Sequence, residues 1–373
     1  MQETPSAEKI IFDYNDADSK RFVQTLNKKV NEYFQSKGIS KHGNAGLYFK
    51  TVFMLAMFFA PYFYIVLAEP QGLLAILVLM IMGAGMAGIG LSIMHDAVHG
   101  AYSSNRTVNK ILGYTLNAVG GNAINWRIQH NIKHHTYTNI EDHDEDIDPK
   151  AILRFSPGTP LKPIHKYQYL YAWFFYGLGT FFWVTFKDFA KITRYNKEGI
   201  LAKTTKSVAG EYVILIVTKI VYYAYAIGVP IYFTSYTGWQ IFGGFMLMHF
   251  VAGMGLAVIF QPAHLMNEVV FPAPDENGKM EYSWIVHQLY TTVNFGNNNP
   301  FLGWYAGGLN FQIEHHLFPH ICHIHYKGLS KIVKETAAEF NYPYYTEPTF
   351  RSALIAHGRK LKELGRPPVA SVA

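Results

Sequence analysis

One cysteine, Cys322, stands in 373 residues. A single thiol excludes an intramolecular disulfide framework and any zinc or iron–sulfur site built from cysteines of one chain. Metal chemistry, if present, has to use other donors. Charge is scarce too: Asp, Glu, Lys and Arg make up 16% of the chain, against about 25% in soluble domains. No internal repeat and no low-complexity tract is visible, which favours one integrated unit. Residues 1 to 45 are polar and show no apolar run behind a basic start, so they carry no signal-peptide pattern. The net charge of +6 calls for no nucleic-acid partner, because basic residues flanking membrane spans account for it.

What the chain does have is apolar residues in long blocks. Half of it is hydrophobic and 16% is aromatic, and this content is concentrated as expected for lipid contact rather than a water-soluble core. Crossing a bilayer takes roughly 20 helical residues. Four runs qualify: 46–68 and 72–93, joined by a Glu-Pro-Gln turn, and 211–233 and 239–260, joined by Thr-Ser-Tyr-Thr-Gly. Neither short connection holds Lys or Arg, whereas the N-terminal, 94–210 and C-terminal segments hold nearly all of them. These three segments, with both termini, are therefore expected on the cytoplasmic side.

Lys219 interrupts the third run about two turns in, where snorkelling needs a helix that starts late or tilts. Residues 168–186 are aromatic and nearly uncharged, and are expected to form an interfacial helix, with a re-entrant insertion as the alternative. The Pro- and Gly-rich stretches 156–163 and 271–278 read as loops.

Seventeen histidines supply the donors that cysteine does not. His95 and His99 follow the second run at i, i+4, a spacing that puts both imidazoles on one helix face. His130 and His134 repeat it, with His135 beside them. The third cluster is Gln312-Ile313-Glu314-His315-His316, where Gln312 takes the place one turn before His316 that a histidine would otherwise fill. A lone pair of histidines four apart is more often a surface or packing feature than a metal site. Three clusters all assigned to one side of the membrane are another matter, and they point to metal binding. Imidazole suits iron, zinc, copper and nickel alike. Seven clustered histidines exceed one tetrahedral site, so a two-metal site is the economical reading.

The segments HDAVHGAYSSN, QHNIKHHTYTNIEDHD, TTVNFGNNNPF and GGLNFQIEHHLFPHICHIHY resemble the membrane fatty-acid desaturases. The resemblance is closest to the front-end group, whose third box begins with Gln, and within it to delta-6 acyl-lipid (linoleoyl) desaturases. It covers residue 46 to the C-terminus, and leaves 1–45 as a cytosolic N-terminal segment ahead of a 46–373 domain. It implies an all-α integral-membrane fold in which four transmembrane helices carry a cytosolic helical cap with a di-metal histidine site. The implied location is a bacterial inner membrane. The implied cofactors are two non-haem Fe ions with O2 as co-substrate, and the reaction places a cis double bond between an existing one and the carboxyl end. By resemblance the ligands are His95, His99, His130, His134, His135, His315 and His316. The family also draws a ligand from just past the last span, where His264 stands; a helix-end histidine is the plain alternative.

Around these, Gln312 is expected to hydrogen-bond near the irons or to bind one through its carbonyl, with helix packing as the alternative. Asp96 and Glu314 are candidates to orient ligand N–H groups, or else are solvated helix positions. The acidic run Glu141 to Asp148, with His143, is a solvated loop, an orienting group or a receiver for a basic partner. His320, His323 and His325 are expected in a loop, because Pro319 ends the third helix. His165, His249 and His287 read as structural. Asn294 to Asn299 reads as a turn, with a polar role toward the acyl head as the alternative.

No HPGG haem-domain motif occurs. Two electrons are therefore expected from an external donor, a ferredoxin or a small haem protein with its reductase, docking on Lys187, Lys191, Arg194, Lys197, Lys203 and Lys206. The substrate is expected to be a fatty acyl chain carried on a glycerolipid, on coenzyme A or on a carrier protein. Rival readings are a lipid hydroxylase or a sphingolipid desaturase. Outside enzymes, the rival is a membrane metal-binding or transport protein. Transporters place such ligands near the bilayer midplane, whereas these clusters flank the spans.

Overall fold

The computed structural model describes residues 10–14, 16–147 and 152–367. Asp148, at the end of the acidic run, and the extreme ends of the 1–45 and 46–373 segments lie outside the described residues. The described chain is helical apart from two short parallel strands, β1 (Asn294–Phe295) and β2 (Thr346–Glu347), and one isolated bridge.

An amphipathic helix, α1 (Ala17–Lys37), starts on an Asp16 cap and buries Phe22, Leu26, Val30 and Phe34 at successive four-residue steps. Next come the helices long and apolar enough to cross a membrane: α2 (Ala45–Ala68), α3 (Gly72–Val98), α6 (Val208–Phe233) and α7 (Gly238–His264). Each of the four expected runs thus lies in a helix of sufficient length and hydropathy to be a candidate span. Glu69, at φ 45°, makes the tight turn between α2 and α3.

Between α3 and α6, residues 123–137 form α4 and residues 168–197 form α5, both with an internal π-helical stretch. After α7 come α8 (Trp284–Thr291), α9 (Gln312–Leu317), α10 (Tyr326–Glu339) and α11 (Phe350–Leu364).

Glycine lets α3 sit between two neighbours. A Cβ at Gly85 would stand 2.6 Å from the Met57 backbone of α2, and one at Gly83 would stand 2.6 Å from the Met248 carbonyl of α7. Past this contact α3 changes to π geometry over Ile89–Met94, directly ahead of His95. Such π-bulges recur at functional sites.

α5 lies across α7 and α6. Thr180 Oγ1 donates to the His249 carbonyl at 2.7 Å. Leu170, Phe174, Phe182, Phe186 and Phe189 turn outward, exposed at helical spacing, which suits the interfacial placement expected for 168–186.

Lys219 does not snorkel. It is buried, and its Nζ donates to Asp188 Oδ2 at 2.6 Å and to the carbonyls of Gly120 and Val184 at 2.5 and 2.6 Å. A counter-charge and two carbonyls replace water, so the helix needs neither a late start nor a tilt.

The N-terminal segment packs onto the helices around the third histidine cluster. The buried face of α1 packs with Val286 and Leu289 of α8, Ile313 and Leu317 of α9, and Leu329 and Val333 of α10. The core that supports the third histidine cluster therefore begins before residue 45.

Candidate metal centre

Four helices deliver the histidines. His95 stands in the last turn of α3 and His99 caps its end, and His130, His134 and His135 stand on α4. His264 is the last residue of α7, and His315 and His316 lie on α9. All eight come together, and all but the partly exposed His99 are buried. Ring centroids are 4.5 Å apart for His95 and His315, 4.4 Å for His135 and His316, and 4.6 Å for His134 and His264.

The ligand atoms sort into two groups. His95, His99, His130 and His315 form one, and His134, His264 and His316 form the other; His135 groups with both His315 and His316. Within each group the atoms lie within 4.8 Å of one another.

The inward nitrogens fit metal ions better than hydrogen bonds. His95 Nε2 is 3.2 Å from His130 Nε2, which is 3.2 Å from His135 Nε2, which is 3.0 Å from His315 Nε2. An imidazole nitrogen has one in-plane site, filled by a proton or a lone pair. His130 and His135 therefore cannot each satisfy two contacts. The Nε2 atoms of His99, His264 and His316 are buried with no protein partner. Buried polar atoms without partners are rare and call for an unseen group, and imidazole lone pairs converging in two sets suit borderline metals such as iron or zinc.

The outward nitrogens fix the tautomers. His134 Nδ1 lies 3.0 Å from both oxygens of Asp144. His264 Nδ1 meets the Thr291 carbonyl at 3.1 Å, and His316 Nδ1 meets Gln288 Oε1 at 2.8 Å. These partners only accept, so Nδ1 carries a proton, and in the neutral imidazole Nε2 keeps its lone pair. His315 Nδ1 faces the Tyr326 hydroxyl at 3.3 Å.

Burial, reinforced by neighbouring imidazoles, holds His130, His135, His315 and His316 well below the ordinary histidine range. Neutral imidazole is the metal-binding form. His134 is the exception: burial pushes it down, but the Asp144 and Asp146 carboxylates outweigh burial and raise it to about 9.

Neither expected carboxylate orients one of these histidines. Asp96 instead accepts from His323 Nδ1 at 2.7 Å and from the Cys322 thiol at 3.0 Å, while Lys50 Nζ sits 3.1 Å from His323 Nε2. It ties the start of α2 and the loop after α9 to the end of α3. Glu314 turns away to Asn294 Nδ2 at 2.8 Å and the Tyr344 hydroxyl at 2.9 Å. Both face away for one reason: each is flanked by a cluster histidine, and consecutive helical side chains diverge by about 100°.

Gln312 is buried one turn before His316, its Nε2 without a protein partner. Asn294 Oδ1 accepts from the Ile313 N–H at 2.9 Å and Asn299 caps the 300–305 helix, so the ends of the Asn-rich run act as scaffold. His323 and His325 lie in a 3₁₀ turn and His320 in the loop before it. His165 Nδ1 accepts from the Lys162 N–H, His249 meets the Tyr222 hydroxyl, and His287 Nε2 meets the Thr138 carbonyl.

Sequence reasoning left the acidic run open, and in it stand Asp144 and Asp146. It missed Gln288, which also accepts from Thr138 Oγ1 at 2.9 Å. It missed Trp126 too, stacked on His130 with ring centroids 4.3 Å apart. Neither carries a local pattern that would mark it.

The family model described as fatty acid desaturase matches residues 70–348. The chain is 33% identical over 348 residues to an sn-1 linoleoyl-lipid 6-desaturase of Synechocystis sp., covering 92% of this chain and 96% of that protein. It is 33% identical over 354 residues to an sn-1 linoleoyl-lipid 6-desaturase of Arthrospira platensis, covering 93% of each. It is also 33% identical over 359 residues to an acyl-lipid (8-3)-desaturase of Physcomitrium patens, covering 96% of this chain and 74% of that protein.

Proposed function

Because the chain belongs to the fatty acid desaturase family, we propose that it inserts a delta-6-type double bond into a linoleoyl-like acyl chain, using two irons, O2 and an external electron donor. The observation that carries this reading is the opposed use of the imidazole nitrogens: Nδ1 of His134, His264 and His316 spent on outer acceptors, and Nε2 of His264 and His316 left buried without a protein partner. His95, His99, His130 and His315 would hold one iron, and His134, His264 and His316 the other. His135 stands between the two sets. Such a pair of irons supplies O2 activation and enough oxidising power to take hydrogen from an unactivated methylene.

The protein's own contribution is placement. Asp144, Gln288 and the Thr291 carbonyl hold three imidazoles in the correct tautomer and orientation. The spanning helices α3 and α7 run directly into the cluster, so an acyl chain can reach it from the bilayer without crossing water. The cluster, both termini and the α8–α11 region are assigned to a cytosolic cap on a bacterial inner membrane; the Lys- and Arg-free connections 69–71 and 234–238 support that orientation. An acyl-lipid substrate is favoured over coenzyme A or a carrier protein, because the similar proteins above are named for lipid-linked chains.

Expression in a host lacking such activity, fed linoleate, tests the reading. Mass spectrometry of double-bond positions should show a new bond at carbon 6. A hydroxylated product, or an altered sphingoid chain, would replace the proposal with the corresponding rival. Metal uptake without any new lipid would replace it with a binding or transport protein.

A further inference from the structure

The expected landing patch at 187–206 is partly spent inside the molecule. Glu145 takes Lys191 at 3.4 Å and Arg194 at 2.6 Å, and Arg194 also meets Glu198 at 3.7 Å. Another group of cations without ion pairs lies where α1 ends against the start of α10.

Lys37 Nζ sits over the Tyr33 ring, 4.2 Å from its centroid, and a Cβ at Gly328 would collide with that same Tyr33 hydroxyl. Lys37 and the exposed Lys327 therefore share one surface. Lys41 Nζ lies 5.8 Å from the Phe34 ring, and Phe34 packs edge-on against His325 at 5.0 Å. The His42 carbonyl faces His325 Nε2 at 3.2 Å, and the exposed His320 completes the group. Lys37, Lys41 and Lys327 have no carboxylate within ion-pair distance among the described residues. The acids of α1 and α10 nearby, Glu32, Glu335 and Glu339, are each taken by another lysine.

Short contacts tie this cationic surface to the cluster. His99 is the only one of the eight histidines that reaches the surface. His42 Nδ1 is 3.2 Å from the carbonyl of Ala101, two residues beyond His99. Next to Lys327, Tyr326 places its hydroxyl 3.3 Å from His315 Nδ1.

Resting on the di-iron reading above, we propose that the surface formed by Lys37, Lys41 and Lys327 with His42 and His320 is the docking site of a small acidic one-electron carrier protein. Carboxylates on the carrier complement these three lysines, of which Lys41 also donates to the neutral Asn31 Oδ1 at 2.9 Å, and such charge pairing sets encounter and orientation. The substrate has no need of this surface, because a lipid-linked chain arrives from the bilayer. Two reduced carriers dock in turn for each O2 consumed. The balance is R–CH2–CH2–R′ + O2 + 2 e⁻ + 2 H⁺ → R–CH=CH–R′ + 2 H2O: the methylenes give up two hydrogens, each carrier is oxidised by one electron, and O2 is reduced to water.

The test uses the iron-loaded full chain in lipid nanodiscs with a plant-type ferredoxin, its NADPH-dependent reductase and a linoleoyl lipid. Carbodiimide, which joins amines to carboxylates only at contact, should couple ferredoxin to Lys37, Lys41 and Lys327. Coupling at Lys197, Lys203 and Lys206 instead, or no coupling, overturns the proposal. The Lys37→Glu/Lys41→Glu/Lys327→Glu variant should raise KM for ferredoxin by about tenfold and leave kcat within about twofold. Lys197→Glu/Lys203→Glu/Lys206→Glu should leave KM unchanged, and the reverse pattern again overturns the proposal.

Photoreduced deazaflavin, a small neutral reductant, should drive both variants as well as it drives the unaltered protein. If the first variant fails with deazaflavin too, the corresponding triple Gln variant is read by the same KM criterion. Failure of deazaflavin to drive the unaltered protein would count against the di-iron reading, while the coupling map would still decide the docking site.

Discussion

His134 and Asp144, ten residues apart, are locked together: both carboxylate oxygens lie 3.0 Å from the imidazole Nδ1. The same carboxylate accepts the N–H of Asn139 and of Asp146, each at 2.9 Å. One side chain thus closes the turn after the second histidine cluster and sets the direction of a cluster imidazole.

Replacing Asp144 by Asn keeps the shape and removes the charge. Loss of such an outer partner lowers metal affinity by about 10- to 100-fold. Asp144→Asn should therefore hold iron that much more weakly in a chelator competition, while its helical circular dichroism stays that of the unaltered protein. Undiminished affinity would mean that Asp144 serves the turn alone.

The buried pair of Lys219 and Asp188 joins α6 to α5, and Asn125 Nδ2 at 2.8 Å from the Asp188 carbonyl extends the tie to α4. Removing one partner of a buried pair leaves an uncompensated charge and costs about 3–5 kcal/mol, whereas removing both is often near neutral. Lys219→Met should lower the unfolding midpoint in detergent sharply, and Lys219→Met/Asp188→Leu should recover most of the loss. A double variant as unstable as the single one would show that the pair has a role beyond mutual neutralisation.

Acid should destabilise the metal-free protein. Burial and neighbouring imidazoles hold His130, His135, His315 and His316 well below 6.5 in the folded state. The unfolded chain takes up protons near pH 6.5 that these folded residues refuse, so stability falls as the pH drops below that value. His134, raised to about 9, works the other way: its contribution is complete below 6.5 and is lost as the pH rises toward 9. Below 6.5 the His134 contribution no longer changes, so the four lowered groups set the slope there. The melting temperature of the metal-free protein should decrease from pH 7 to pH 5, and bound iron should reduce the decrease near neutrality. A flat or rising profile would contradict the neutral state assigned to the cluster.

These cases separate what sequence can convey from what it cannot. The spans and the three histidine clusters follow from local periodicity: runs of about 20 apolar residues and i, i+4 spacing. Long-range partners leave no such trace. Lys219 finds Asp188 31 residues earlier, through the side of α5 that the aromatic composition of 168–186 conceals. His316 finds Gln288 across 28 residues and an intervening strand. Asp96 and Glu314 each adjoin a cluster histidine in the sequence, which made them candidates, but helical geometry turns a neighbouring side chain elsewhere. The unity of α1 with the third cluster was equally hidden, because its apolar face shows only that it packs and not against what.

Metal content of the purified, folded protein tests the central claim most directly. The unaltered chain should carry about two iron atoms, as two converging histidine sets require. His95→Ala/His99→Ala and His264→Ala/His316→Ala should each remain in the membrane and lose about half of that iron, and His315→Ala should lose iron together with the desaturated product. Folded protein with less than one iron per chain, or variants of both sets that keep the full complement, would contradict the account.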